Sequence, residues 1–127
     1  MACPRCGASV VAFAVPDRLI DHAPASEAAI CTRCLSTFAG SEAGASPTAS
    51  PDFSAVDDAF PDGDAGVALA LACGLLESFA LNRPSIEALL AHAEREGADV
   101  FLFFERLDAD DAAFDLDRRR AALDDVL

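Results

Sequence analysis

The chain has 127 residues, a net charge of −13, and no Lys, Trp or Tyr. That length suits one ordinary domain, or a metal-stapled module of about 40 residues joined to a small helical one. Hydrophobic residues make up 53%, yet 28 residues are Ala, so the bulky core is smaller than the percentage implies. The longest apolar stretch, Ala65 to Leu76, is 12 residues. A membrane span needs about 20, so this stretch reads as a buried helix and no membrane partner is expected.

The charge is unevenly placed. Residues 1–40 hold three acids (Asp17, Asp21, Glu27) and three Arg (Arg5, Arg18, Arg33) and sum to zero; the remaining 87 residues hold 19 acids and six Arg, which accounts for the −13. Asp outnumbers Glu by 15 to 7, and all nine basic residues are Arg. This bias fits a chain adapted to molar salt, where the Debye length is about 3 Å and self-repulsion is screened. An acidic interaction surface is the other reading.

The chain opens on Cys3-Pro4-Arg5-Cys6-Gly7 and, with 24 residues between Cys6 and Cys31, repeats the spacing as Cys31-Thr32-Arg33-Cys34. Two such pairs supply four thiolates to one tetrahedral ion, with zinc favoured and iron in a rubredoxin-like site the minor option. Cys fills every ligand position, so the site is closed and structural rather than catalytic. Gly7 permits a left-handed backbone after the second sulfur; Leu35 stands in that place in the second pair and predicts strain or altered hydrogen bonding. Arg5 and Arg33 occupy equal places in the two knuckles. They offset the charge of a metal–thiolate centre, or they project to a phosphate or an acidic partner.

Between the pairs, Ser9–Val15 reads as a strand, Asp17–His22 as a helical turn with Leu19 and Ile20 inward, and Glu27–Ile30 as a return strand; Leu35–Phe38 follows as a third. That order is a zinc ribbon over residues 1–40. Small residues and prolines mark 41–52 as a flexible linker. Residues 53–127 read as an acidic helical bundle. Its expected pieces are a short helix over Phe53–Phe60 and a central helix over Ala65–Leu81 capped by Asp62 and Asp64. A break at Asn82-Arg83-Pro84 precedes a helix over Ser85–Glu96. Asp99 caps a helix over Val100–Leu107 with Phe101 on its apolar face, and the last helix spans Asp115–Val126, with Val126 inward. The fold class is α+β, a small ribbon of antiparallel strands followed by helices.

Outside the four ligands little points to chemistry. Cys73 reads as a small buried hydrophobe. His22 could approach the metal but is not needed there, and His92 is a boundary position beside an apolar stripe. Arg118-Arg119-Arg120 is explained by pairing with Asp115 and Asp124 on the same helix. No nucleophile–base set, phosphate loop or H-E-x-x-H occurs, so no enzyme is expected. The start directly on Met1-Ala2-Cys3, without a basic or apolar leader, predicts a cytoplasmic protein with reduced thiols.

The CPRCG start, the strand ending in Val15-Pro16, the CTRC pair, the linker and the Ala/Asp-rich helical tail resemble the haloarchaeal zinc-ribbon proteins of unknown function known as CPxCG-related zinc-finger proteins. The resemblance implies Cys3, Cys6, Cys31 and Cys34 as zinc ligands in a haloarchaeal cytoplasm and brings no activity with it. Leu35 departs from the symmetric double knuckle. Two functions remain: an adaptor or regulator that binds other proteins, and a nucleic-acid-associated ribbon with the acidic bundle as its body. The neutral ribbon permits the second, and the acidic total opposes it.

Overall fold

The computed structural model describes residues 2–126, and the side chains of residues 2–125. Strands β1 (Val10–Ala14), β2 (Glu27–Cys31) and β3 (Thr37–Ala39) form an antiparallel sheet in the order β1-β2-β3, and helices α1 (Gly63–Leu75), α2 (Phe79–Arg95), α3 (Val100–Arg106) and α4 (Leu116–Val126) follow. The fold class is therefore α+β, with the sheet at the N-terminus. Register pairs Val10 with Cys31 and Ala14 with Glu27 across the first two strands, and Ala29 with Phe38 across the next.

Strand alternation gives the sheet two different faces. Phe13, Ala28 and Ile30, with Val15 just past β1, point into one apolar cluster with α1, α2 and α3. Val10, Ala12, Ala29, Cys31 and Phe38 point the other way, into a second cluster with Cys3 and Cys34. Ala43 and Ala45 complete that second cluster. Residues 41–45, expected as linker, therefore fold onto the sheet: Gly40–Ala43 makes a 3₁₀ turn, and Ala45 N–H donates to the Gly40 carbonyl at 3.0 Å. The small side chains read as flexibility in the sequence are here what lets the chain lie flat on the strands.

The first cluster crosses from sheet to helices without interruption. Phe13, Phe53, Phe60, Phe103 and Phe104 stand in a file with successive ring centroids 5.5, 6.0, 4.8 and 4.9 Å apart. Tilted and edge-on aromatic pairs at such spacings stabilise by about 0.5–1.5 kcal/mol beyond their burial. Helix α1 runs through the middle, and Ala65 to Cys73 are all buried. It approaches the sheet edge at Gly74, where an added Cβ would lie 2.4 Å from Thr37 Cβ. Thr37 Oγ1 donates to the Ala70 carbonyl at 2.8 Å across the same contact.

Several element boundaries differ from the sequence reading. The break in the helical run falls at Leu76–Ser78, a 3₁₀ turn, rather than at residues 82–84. Pro84 sits inside α2 on its exposed side, so the carbonyl of Ala80 that loses its partner is open to water. The carbonyls freed at the true break are satisfied from elsewhere. Arg119 Nε donates to Leu76 O at 3.0 Å and its Nη2 to Glu77 O at 3.3 Å, while Asn82 Nδ2 reaches Ser78 O at 3.0 Å. Arg119 is thus a cap for another helix rather than part of an intrahelical pair, and Arg120 pairs with Asp117 at 3.4 Å. Taken together, Gly63–Arg95 is long and apolar enough to cross a membrane, and 61% of its most apolar window is buried within the fold, as suits a central core helix.

Smaller corrections follow the same logic. The helix expected over Phe53–Phe60 is only a 3₁₀ turn at Phe53–Ala55, with Phe53 and Phe60 both buried. Asp62 makes no side-chain cap, and Asp64 in the first turn of α1 is bound by Arg18 instead. Asp99 caps α3 as expected, accepting from Leu102 N–H at 2.9 Å. Ile20, Leu81 and Phe101 face solvent, at 36%, 86% and 55% exposure. Val126 lies outside the described side chains.

Candidate metal centre

The four paired cysteines converge at the end of the sheet where Val10 meets Cys31. Their sulfurs lie within 4.8 Å of one another, with Cys3 Sγ 3.7 Å from Cys34 Sγ and Cys6 Sγ 3.4 Å from Cys31 Sγ. Tetrahedral thiolates about 2.3 Å from a shared ion stand about 3.8 Å apart, so the cluster fits one ion. Cys3, Cys31 and Cys34 are buried and Cys6 is exposed.

Local turns aim backbone donors at the sulfurs. In the first knuckle Arg5 N–H donates to Cys3 Sγ at 3.3 Å; in the second, Arg33 N–H and Cys34 N–H donate to Cys31 Sγ at 3.3 and 3.4 Å. Each knuckle closes with the same long turn, Cys3 N–H to Ala8 O at 2.8 Å and Cys31 N–H to Ser36 O at 2.9 Å. Burial works against ionising the Cys3 thiol, but the N–H groups of Cys6 and Arg5, with the Cys31 and Cys34 sulfurs, bring it down to about 7. At Cys31 burial prevails over the donors from Cys34 and Arg33, and the thiol is pushed up to about 12. Four sulfurs this close cannot all carry charge unless a cation sits among them, so the cluster is compatible with a metal ion bound by deprotonated thiolates.

The backbone after each pair is left-handed, with φ of 80° at Gly7 and 60° at Leu35. Leu35 is the one non-Gly residue with positive φ among those described, and it is 2% exposed within the main core. A left-handed Leu costs about 1–2 kcal/mol. Burying its side chain returns about 1.5–3 kcal/mol, so the conformation holds.

The two knuckle arginines have different surroundings. Arg5 forks onto Glu77, Nη1 to Oε2 at 2.6 Å and Nη2 to Oε1 at 2.7 Å, and Nη1 also reaches Ser36 Oγ at 3.1 Å. That fork holds the Glu77 carboxyl below the usual range. Arg5 therefore ties the first knuckle to the turn between α1 and α2. Arg33, 63% exposed at its side chain, has only a loose contact with Asp111 at 3.9 Å. The second knuckle is tied by backbone, with Ala113 N–H donating to Cys34 O at 2.7 Å. Glu77 and Ala113 were not singled out by sequence reasoning, because each lies more than 70 residues from the cysteine it supports and no local pattern marks it.

His22 stays away from the cysteine cluster, its Nδ1 2.9 Å from Ser85 Oγ on α2. Cys73 is buried in α1, and burial first, with the Asp57 charge second, pushes its thiol up to about 12. It behaves as a small apolar side chain. His92, expected at a boundary, is 5% exposed.

The model of a family described as a family of unknown function (DUF6276) matches residues 2–127. No curated protein and no solved structure matches the chain.

Proposed function

The chain belongs to this family of unknown function, and from that starting point we propose that it is a non-enzymatic zinc protein whose ribbon is held by one structural Zn²⁺ on Cys3, Cys6, Cys31 and Cys34. The convergence of four sulfurs, three of them buried, carries this reading, because it leaves no ligand position open to water. Soft thiolates select zinc over magnesium or calcium, and the absence of Trp and Tyr, common packing around rubredoxin-type iron, argues for zinc over iron. The ribbon serves as an adaptor or regulatory module for a protein partner in a salt-rich cytoplasm, in keeping with the CPxCG-type start and the Lys-free acidic composition. The charge-neutral residues 1–40 are its least repulsive surface toward an acidic partner. Since Arg5 is engaged by Glu77, the exposed Arg33, held only by its loose contact with Asp111, is the knuckle side chain that would turn to such a partner.

The test has two parts. Elemental analysis of purified protein is expected to give zinc at the cysteine cluster, and cobalt exchanged into it to show thiolate charge-transfer bands; iron, or spectra without sulfur ligation, would reject the centre. Affinity capture at high salt, with and without nuclease, is expected to retain a protein partner in both arms and to lose it on Arg33→Glu. Capture that disappears with nuclease would replace the adaptor by a nucleic-acid-associated ribbon.

A further inference from the structure

The only buried side-chain nitrogen or oxygen without a hydrogen-bond partner, among the described residues, is His92 Nε2. Native proteins leave very few such atoms, and an ion or water commonly accounts for them. His92 lies in the last turns of α2 and carries Glu96 one turn further on. Because α1 and α2 pack antiparallel, Asp64 in the first turn of α1 meets this end of α2. The ligand atoms of Asp64, His92 and Glu96 lie within 4.8 Å of one another.

We propose that Asp64, His92 and Glu96 form a second metal site, for a borderline divalent ion such as Zn²⁺, Co²⁺ or Ni²⁺. Nε2 stands 3.9 Å from Glu96 Oε1. That is too long for a hydrogen bond. Two donors each about 2.1 Å from one ion, at angles from 90° to 180°, are about 3.0–4.2 Å apart, so the gap suits a shared ion. The Glu96 side chain is 40% exposed and free to adjust, whereas His92 is fixed by its burial. Imidazole with two carboxylates favours a borderline transition ion; magnesium and calcium prefer all-oxygen shells. Arg18 engages Asp64 through Oδ2. A carboxylate has a second oxygen to offer, and the Arg charge offsets one of the two acids. The ion would pin the start of α1 to the end of α2. Three protein donors leave a position for water or an added ligand, unlike the closed cysteine cluster.

Full-length protein with the cysteine cluster filled by one zinc equivalent, titrated with CoCl₂, tests the site. The expected result is one further equivalent, weak visible bands without thiolate charge transfer, and a melting temperature that rises with cobalt. Glu96→Gln, a change at an accessible side chain, is expected to weaken that binding at least tenfold and to abolish the rise in melting temperature; Asp64→Asn should do likewise. Binding of no further ion, binding unchanged in Glu96→Gln, or bands of sulfur ligation would overturn the proposal. The site shares no residue with the four cysteines, so the loss of binding in Glu96→Gln, read against the native chain with the same cysteine cluster, distinguishes it from binding at the sulfurs.

Discussion

The two cysteine knuckles have the same spacing, the same closing turn and the same left-handed residue after the second sulfur, yet they are held by opposite means. The first ends in Gly7, keeps Cys6 exposed and is tied to the helices by an exposed side-chain fork from Arg5 to Glu77. The second ends in Leu35, which sits in the main core, and its Cys34 carbonyl takes a backbone hydrogen bond from Ala113. One half of the centre is thus attached by charge at the surface, the other by packing. Packing resists salt, whereas exposed ion pairs are worth at most about 1 kcal/mol and are screened.

On the zinc reading proposed above, removing the ion should expose this difference most strongly. Structural zinc commonly contributes about 10–16 kcal/mol of apparent binding free energy in small fingers, so chelation is expected to release the first knuckle outright. Hydrogen exchange should then show lost protection at Cys3 and Gly7, while the amides of Cys31 and Ala113, bonded to Ser36 O and Cys34 O in the knuckle that Leu35 anchors in the core, exchange more slowly. Equal loss in both knuckles would remove the asymmetry.

Leu35 offers the next largest effect. Leu35→Ala is expected to destabilise by about 2–5 kcal/mol, as for other buried Leu truncations. Leu35→Gly removes the same side chain but relieves the left-handed strain, so it should be less damaging than Ala by about 1 kcal/mol, the reverse of the order in a helix. Gly7→Ala, which meets nothing within 4 Å, should cost only that strain, about 1 kcal/mol. Denaturant midpoints of the three variants decide the matter. An Ala variant at position 35 as stable as the Gly variant would mean that the backbone there is not strained.

The smallest effect belongs to the fork. Glu77→Gln should leave the melting temperature unchanged at molar salt and speed alkylation of Cys6 a few-fold in dilute salt. The fork's contribution depends on pH in a defined direction. Because the folded carboxyl is held below its ordinary value, the stabilisation is complete above about pH 4.3 and is lost as pH falls through the folded value. Alkylation of Cys6 that is insensitive to salt in the native chain would show that the first knuckle is not attached this way. In dilute buffer the self-repulsion of a −13 chain should also lower the melting temperature; equal melting at low and molar salt would count against adaptation to a saline interior.

Much of this was legible in the residues. The paired cysteines, the β-branched run at Val10–Ala14 and the Asp99 cap each act within a few positions, so local pattern suffices. The strained position at Leu35 was visible for the same reason. The helical break was not, because Pro84 is a strong local signal that the fold overrides on an exposed face, while the caps at the actual break come from Arg119, some 40 residues away. Leu81 closes the run read as one central helix, and Phe101 was expected on an apolar face, yet both face outward, Leu81 lying in α2 beyond the break and Phe101 on an α3 of only seven residues. The His92–Glu96 spacing could be read from the chain. Asp64 could not be added to it without knowing that α1 and α2 run antiparallel.

The hydrogen bond from Ala113 to Cys34 also sets an order of assembly. All four cysteines leave the ribosome within the first third of the chain, but the outer tie of the second knuckle is made 79 positions after Cys34. Its floor comes from α1 and α2, which also emerge later. On the zinc reading, a nascent chain therefore loads its ion early only into a half-built cage. The tight hold comes last, when the C-terminal third arrives, so a truncated or stalled product would carry all four cysteines and still surrender its metal readily.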